Sequence, residues 1–210
     1  MIYIGENLII MNLIERAKNI LTNPKQEWEV INGEEATPMT LLTTYVIPMV
    51  LIGAIAGFIG YGFIGINYGF GIRIKGLDWG LYHGISTLIS GIISFFVSSY
   101  VIDALAPTFK SEKNINKSAQ LVAYSSTAFW VVAILMILPA LAILMILGLY
   151  SVYLFYLGIS VMKKTPEDQK IVYMVVSALV MIVVSLVINF ILQKILMSVF
   201  GLSLGGMLGL

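Results

Sequence analysis

No cysteine occurs in the chain, so there is no disulfide framework, no thiolate metal site and no thiol nucleophile. Its single histidine, His83, excludes clustered-histidine metal sites. Charge is also scarce: Asp, Glu, Lys and Arg make up 11% of the residues, against about 25% in ordinary soluble domains. The net charge is +1, and the basic residues are scattered through short loops with no stacking platform beside them, so no nucleic-acid partner is expected. What is abundant is apolar, 59% of the chain. So many apolar side chains with so few charges to cover them do not describe a soluble core. The first apolar residues are interrupted by Glu6, Asn7 and Asn12, which is not the pattern of a cleaved signal peptide; Met11 is a second candidate start.

The stretch from Ser118 to Met162 contains no Asp, Glu, Lys, Arg or His. As one α-helix its apolar part, Leu121 to Val161, would be roughly 60 Å long, twice the hydrocarbon thickness of a bilayer. It is therefore expected to be two spans folded back on each other and broken near Pro139. Three further charge-poor runs bring the count to five, at about 37–63, 81–105, 119–138, 139–161 and 171–196. The expected fold is all-α: a polytopic membrane domain over 37–197, short amphipathic interfacial helices in a cytoplasmic segment 1–36, and a loosely ordered tail over 198–210.

Local signals fill in this frame. In residues 8–21, Ile10, Leu13, Ile14, Ala17 and Leu21 share one helical face and Glu15, Arg16, Lys18 and Asn19 the other. Such a helix lies on the membrane surface or packs on the protein's own cytoplasmic loops. A second helix starts at Asn23, with Asn as cap, Pro24 in the first turn and Gln26 completing a capping-box-like pattern. Its Trp28 is expected to anchor at the headgroup level. In span one, Pro48 should kink the helix, and Gly53, Gly57 and Gly60 with Ala56 offer a packing face. A glycine-rich loop follows, whose Tyr68, Phe70 and Trp79 suit an interfacial belt. In span two, Gly84, Thr87, Gly91, Ser94 and Ser98 form a stripe of small residues that reads as a helix–helix seam. Before span five, Thr165 is expected to cap, Pro166 to take the first turn, and Glu167 and Asp168 to face the positive end of the helix dipole.

With five spans, Arg16, Lys18, Lys25, Lys110, Lys113, Lys117, Lys163, Lys164 and Lys170 fall on one side, and Arg73, Lys75 and Lys194 on the other. The positive-inside rule then puts the N-terminus in the cytoplasm and the C-terminus outside an integral cell membrane, the inner or cytoplasmic one.

Several of these pieces together resemble the Ypt-interacting-protein (Yip) domain family, in its prokaryotic form. They are the NPKQEW segment with Trp28, the Tyr45 and Pro48 pair followed by glycines, Tyr124 opening span three, and above all LYSVYLFYLGISVMKKTPEDQKIVYMVV from Leu149 to Val176. In the last piece Tyr150, Gly158, Lys163, Thr165 and Pro166 are the motif positions. The resemblance covers roughly residues 12–196 and implies a five-helix bundle with a cytosolic N-terminus. Eukaryotic members are linked to Rab-type GTPases and vesicle trafficking. They carry a long cytosolic N-terminal region that is short here, so Rab binding is not carried over. The proline that the family often has early in span three is missing from Ser125 to Trp130.

Four features are candidates for chemistry. Asp103 ends span two; a carboxylate there could bind a cation or relay a proton, or could sit at the cytoplasmic interface, wet or paired with Lys110. His83 opens span two as an interfacial hydrogen-bonder or a proton switch, about 30 Å along the same helix from Asp103. Asn189 and Gln193, four apart on span five, could line a polar path with the serines of span two or bond across helices. Tyr150, Tyr153 and Tyr156 step by three, as a lipid-tail groove or as core packing. No catalytic constellation is present in the sequence and no cofactor is expected. The expected function is that of a non-enzymatic module acting on lipids or other membrane proteins. The alternative is a small-solute or ion transporter or channel using Asp103, assembled as a homo-oligomer if one chain cannot form a pore.

Overall fold

The fold is described from a computed structural model, over residues 3–67 and 73–201. Tyr68 and Phe70 of the expected aromatic belt, and the tail beyond Gly201, lie outside the described residues. Five helical stretches are long and apolar enough to cross a bilayer: span one Pro38–Ile64, span two Leu77–Phe109, span three Ile115–Ile137, span four Pro139–Lys163 and span five Glu167–Val199. Two helices precede them, α1 (Tyr3–Thr22) and α2 (Pro24–Asn32). Between spans one and two a short antiparallel ladder pairs Ile66 with Ile74 and Asn67 with Arg73.

Proline chemistry shapes two of the spans. Pro48 has no N–H to give the carbonyl four residues back, and its ring presses on that carbonyl. The chain answers with a π-helical turn at Leu42–Val46, immediately before the α-helix that contains Pro48. At the hairpin, Leu138 is extended (φ −113, ψ 92) and Pro139 starts the return. The strands of this hairpin are wound as 3₁₀ rather than α near the bend, over Ala133–Ile137 and Pro139–Leu149. A 3₁₀ turn rises about 2.0 Å per residue against 1.5 Å, so span four covers more depth with fewer residues.

Glycines set the closest approaches. Gly91 of span two lies against Val50, and Gly84 lies over the Ala54 carbonyl, so the stripe is a seam with span one along part of its length. A Cβ at Gly60 would run into the backbone carbonyl of Met136, which fixes span one against the bend of the hairpin. Span five is the least enclosed: Leu179, Val183, Leu186, Val187 and Phe190 are all exposed. In a soluble protein that face would aggregate; in a bilayer it is solvated by lipid.

The N-terminal helices dock on the bundle. The buried side of α1 holds Ala17 and Ile20, while Ile14, expected on that face, is exposed. Arg16, expected on the water-facing side, turns inward to Glu27 and Glu34. The face is rotated because an ion pair with α2 competes with the apolar pattern. Trp28 does not reach out to lipid headgroups as an anchor: it is fully buried inside the protein.

Candidate functional site

Three constellations carry the polar chemistry. The first joins the ends of spans two, three and four. Lys163 is fully buried, and its ammonium donates to Asp103 Oδ1 at 3.1 Å, to the Asn114 carbonyl at 3.1 Å and to Ser118 Oγ at 2.6 Å. An ammonium has three N–H donors, and all three are used. Ser118 Oγ is in turn 3.1 Å from the same Asp103 oxygen, which closes a ring of charge-assisted bonds. Span five joins through Tyr173, whose hydroxyl donates to the Ile102 carbonyl beside Asp103. The partner of Asp103 is therefore Lys163. Lys110 is exposed and takes the left-handed conformation (φ 53) that ends the 3₁₀ turn after span two.

The loop over this ring is similarly tied. Glu112 N donates to the Lys163 carbonyl at 2.8 Å, and the Lys164 ammonium meets Glu112 at 2.7 Å. That hydrogen bond and charge hold the Glu112 carboxyl below its ordinary range. Thr165 does not cap span five. It is buried, accepts from Ser111 Oγ at 2.9 Å and donates to the Ile159 carbonyl at 3.2 Å. Pro166 stands at the cap position, with Glu167 and Asp168 in the first turn. Asn23 likewise makes no capping bond; its amide reaches the Gln26 side chain at 2.6 Å. Each side chain found a competing partner that the local pattern does not name.

The second constellation is aromatic. Trp28 Nε1 donates to the Leu154 carbonyl at 3.1 Å, and its ring fills the slot left by Gly158. Trp28 meets Tyr124 edge-on at 6.5 Å, and Tyr124 meets Tyr45 at 4.7 Å. Tyr45 OH is 2.7 Å from Thr127 Oγ1. Over Tyr124, at 5.6 Å, lies the Arg16 guanidinium. Burial works against its charge, but the Glu34 hydrogen bond and the neighbouring Glu34 and Glu27 carboxylates outweigh it and raise the arginine above its ordinary value. The last carbonyls of α2 are met by Lys117 Nζ, at 2.7 Å from Asn32 O, and by Gln120 Nε2, at 3.3 Å from Ile31 O. Thus Trp28, Tyr45, Tyr124 and Gly158, far apart in sequence, form one nest that seats the N-terminal helices.

The third is a cavity of about 640 Å³ at the level of the spans, with wall residues from all five, among them Val50, Ser94, Trp130, Ser151 and Asn189. His83 and Tyr61 stack at 3.5 Å and border it. The serine end of the span-two stripe faces this space, so the stripe is seam on one side and cavity wall on the other. Ser90 Oγ donates to Asn189 Oδ1 at 3.3 Å. Gln193 is exposed and takes no part in the wall. Asp103 is not in the wall either.

The tyrosine ladder is not core. Tyr150 and Tyr153 are exposed, and Lys170 Nζ sits 4.0 Å over the Tyr156 ring. Tyr150 OH donates to the Leu21 carbonyl at 3.1 Å, which ties span four to α1. Among the described residues no three His, Asp or Glu side chains gather as a metal ion requires.

A family model described as the Yip1 domain matches residues 18–188. The chain belongs to the Yip1-domain family. It is also similar to the inner membrane protein YohC of Escherichia coli K12, 27% identical over 146 residues, which is 67% of this chain and 74% of that protein. The same figures hold for YohC of Escherichia coli O6:H1. No solved structure matches. The nest and the ring hold most of the residues on which the Yip resemblance rests. Pro48 and Tyr150 stand apart, one at the π turn and one at the surface.

Proposed function

We infer that this Yip1-domain membrane protein is a non-enzymatic module that organises its membrane by binding lipids or other membrane proteins. The observation that carries the reading is where its reactive side chains are spent. Asp103, Lys163 and Ser118 bond to one another, and Arg16 is paired with both Glu27 and Glu34. What remains at membrane depth is an apolar outer surface and a cavity whose lining holds no Asp, Glu, Lys or Arg. Surfaces of that kind recognise uncharged, apolar matter.

Passage of a small solute or ion, with a homo-oligomer completing the path, is the competing reading, and the serine-lined cavity is the observation on its side. The position of Asp103, locked to Lys163 and outside the cavity wall, is against its use as the binding carboxylate. Proteoliposomes are the test. They should pass sodium, potassium and protons no faster than protein-free vesicles, while lipids or proteins co-purify from native membrane. Ion flux that disappears in Asp103→Asn would overturn the reading.

The inner-membrane YohC supports the cytoplasmic membrane as the location. Lysine distribution supports a cytoplasmic N-terminus and an external C-terminus. The bonds from Lys117 to α2 and from Lys164 to Glu112 support the shared end that this orientation needs. The absence of native cysteine makes the check direct. In whole cells an impermeant maleimide should label Lys75→Cys and leave Lys164→Cys unlabelled. The opposite pattern, or equal labelling, would reverse or refute the topology.

A further inference from the structure

We propose that the 640 Å³ cavity between the spans is a binding site for one uncharged, long-chain lipid bearing hydrogen-bond-accepting oxygens, of the acylglycerol or prenyl-quinone kind. The proposal rests on the interaction reading above and names its ligand class. Size comes first. Ligand pockets run to roughly 300–1,000 Å³, and this cavity falls inside that range. Its wall follows span two from His83 to Ser98, a rise of roughly 22 Å along the helix. The lining thus runs along about four turns of one helix, the length over which an acyl chain can lie.

Its two walls differ in chemistry. One carries Phe129, Trp130, Val122, Met136 and Met145, against which a hydrocarbon chain packs without loss. The other carries hydroxyls. On span two Ser90 is bonded to Asn189, while Ser126 on the apolar side has its hydroxyl bonded to the Val122 carbonyl. Ser86, Ser94 and Ser98 also face the space, and their hydroxyls have no partner among the described residues. A hydroxyl at bilayer depth without an acceptor is costly, and an ester, ketone or alcohol oxygen on a bound chain relieves that cost. The lining holds no Lys or Arg, so no fixed positive charge compensates a phosphate. That selects a neutral lipid over the anionic lipids around the protein.

The test uses the full chain in nanodiscs and a photoactivatable monoacylglycerol with a diazirine in its acyl chain. Labelling should map to spans two and three around Ser94, Phe129 and Trp130. Unlabelled monoacylglycerol or a prenyl quinone should compete, and the better competitor identifies which oxygen chemistry is preferred. Phosphatidylglycerol should not compete. Ser94→Phe, which puts a ring into the space, should cut labelling by at least about tenfold. Paired Ser94→Ala and Ser98→Ala changes keep the volume and should weaken labelling by about threefold to tenfold through lost hydrogen bonds. These conservative changes guard against a misfolded Ser94→Phe, and thermal unfolding reports folding for both. Labelling confined to the exposed face of span five, equal competition by phosphatidylglycerol, or full labelling of a folded Ser94→Phe would overturn the proposal. Failure of labelling with proteins still co-purifying would sink the cavity ligand alone; specific ion flux would sink the parent reading.

Discussion

Lys163→Met should lower folding stability by about 3–5 kcal/mol, measured by denaturant unfolding in detergent micelles. The reason is asymmetry. Asp103 is 8% exposed, and Lys163 and Ser118 are fully buried, so nothing replaces the ammonium when it is removed. The carboxylate keeps only Ser118, and the Asn114 carbonyl loses its donor. Breaking a buried pair from one side leaves an uncompensated charge, whereas replacing both members by apolar groups of similar volume is often neutral. Lys163→Met combined with Asp103→Leu should therefore recover most of the loss. The double-mutant cycle should give a coupling well above the ~0.5 kcal/mol expected for independent sites. Because the ring joins spans two, three and four, the loss should appear as global unfolding. A single variant within ~0.5 kcal/mol of the parent would mean that water reaches Asp103.

The five-span architecture was readable because a bilayer imposes a length. Leu121–Val161 is too long for one crossing, and Pro139 marks the only proline within it, so the bend follows from arithmetic and one ring. Pro48 gave notice of an irregular helix in the same way, and a π turn is what the missing N–H produced. Side-chain partners were not readable. Lys110 is the partner for Asp103 that lies near in sequence, one alternative among several, but the end of span two turns toward span four, and that depends on helix rotation. Trp28 looked like a headgroup anchor because an aromatic in an amphipathic segment usually is one. Only the folded chain brings Gly158 to it and leaves a slot of the right size. Thr165 and Asn23 had the composition of caps, yet each bonds elsewhere. The small-residue stripe of span two was visible as a pattern. That its serine half borders a cavity depends on where Trp130 and Asn189 stand, on helices whose register the pattern does not fix. Lys163 is one of the positions on which the family resemblance rests, and nothing in the sequence says what it holds.

Trp28→Ala should release the N-terminal helices from the bundle and cost about 3–5 kcal/mol, the range for emptying a buried aromatic site. Trp28 is 0% exposed and lies edge-on to Tyr124, so its removal opens a cavity in the middle of the nest. It also strips the Leu154 carbonyl of the indole N–H. What remains to hold α1 and α2 is chiefly polar: Arg16 with Glu27 and Glu34, Lys117 with Asn32, and Tyr150 with Leu21. Those bonds sit nearer water, where each contributes on the order of 1 kcal/mol. The prediction is therefore local opening below the global transition: hydrogen exchange of α2 amides should accelerate while the amides of span two stay protected. Gly158→Ala approaches the same contact from the other side. Its Cβ would stand 2.6 Å from the Trp28 ring and 2.7 Å from Leu121 Cδ1, inside van der Waals distance of both. It should cost about 1–3 kcal/mol alone. Combined with Trp28→Ala it should add little, because the ring it would strike is gone, the Leu121 methyl can swing into the space left, and the new methyl fills part of the hole. Full additivity of the two, or unchanged exchange of α2 in Trp28→Ala, would show that the nest does not seat the N-terminal helices and that the ion pairs hold them alone.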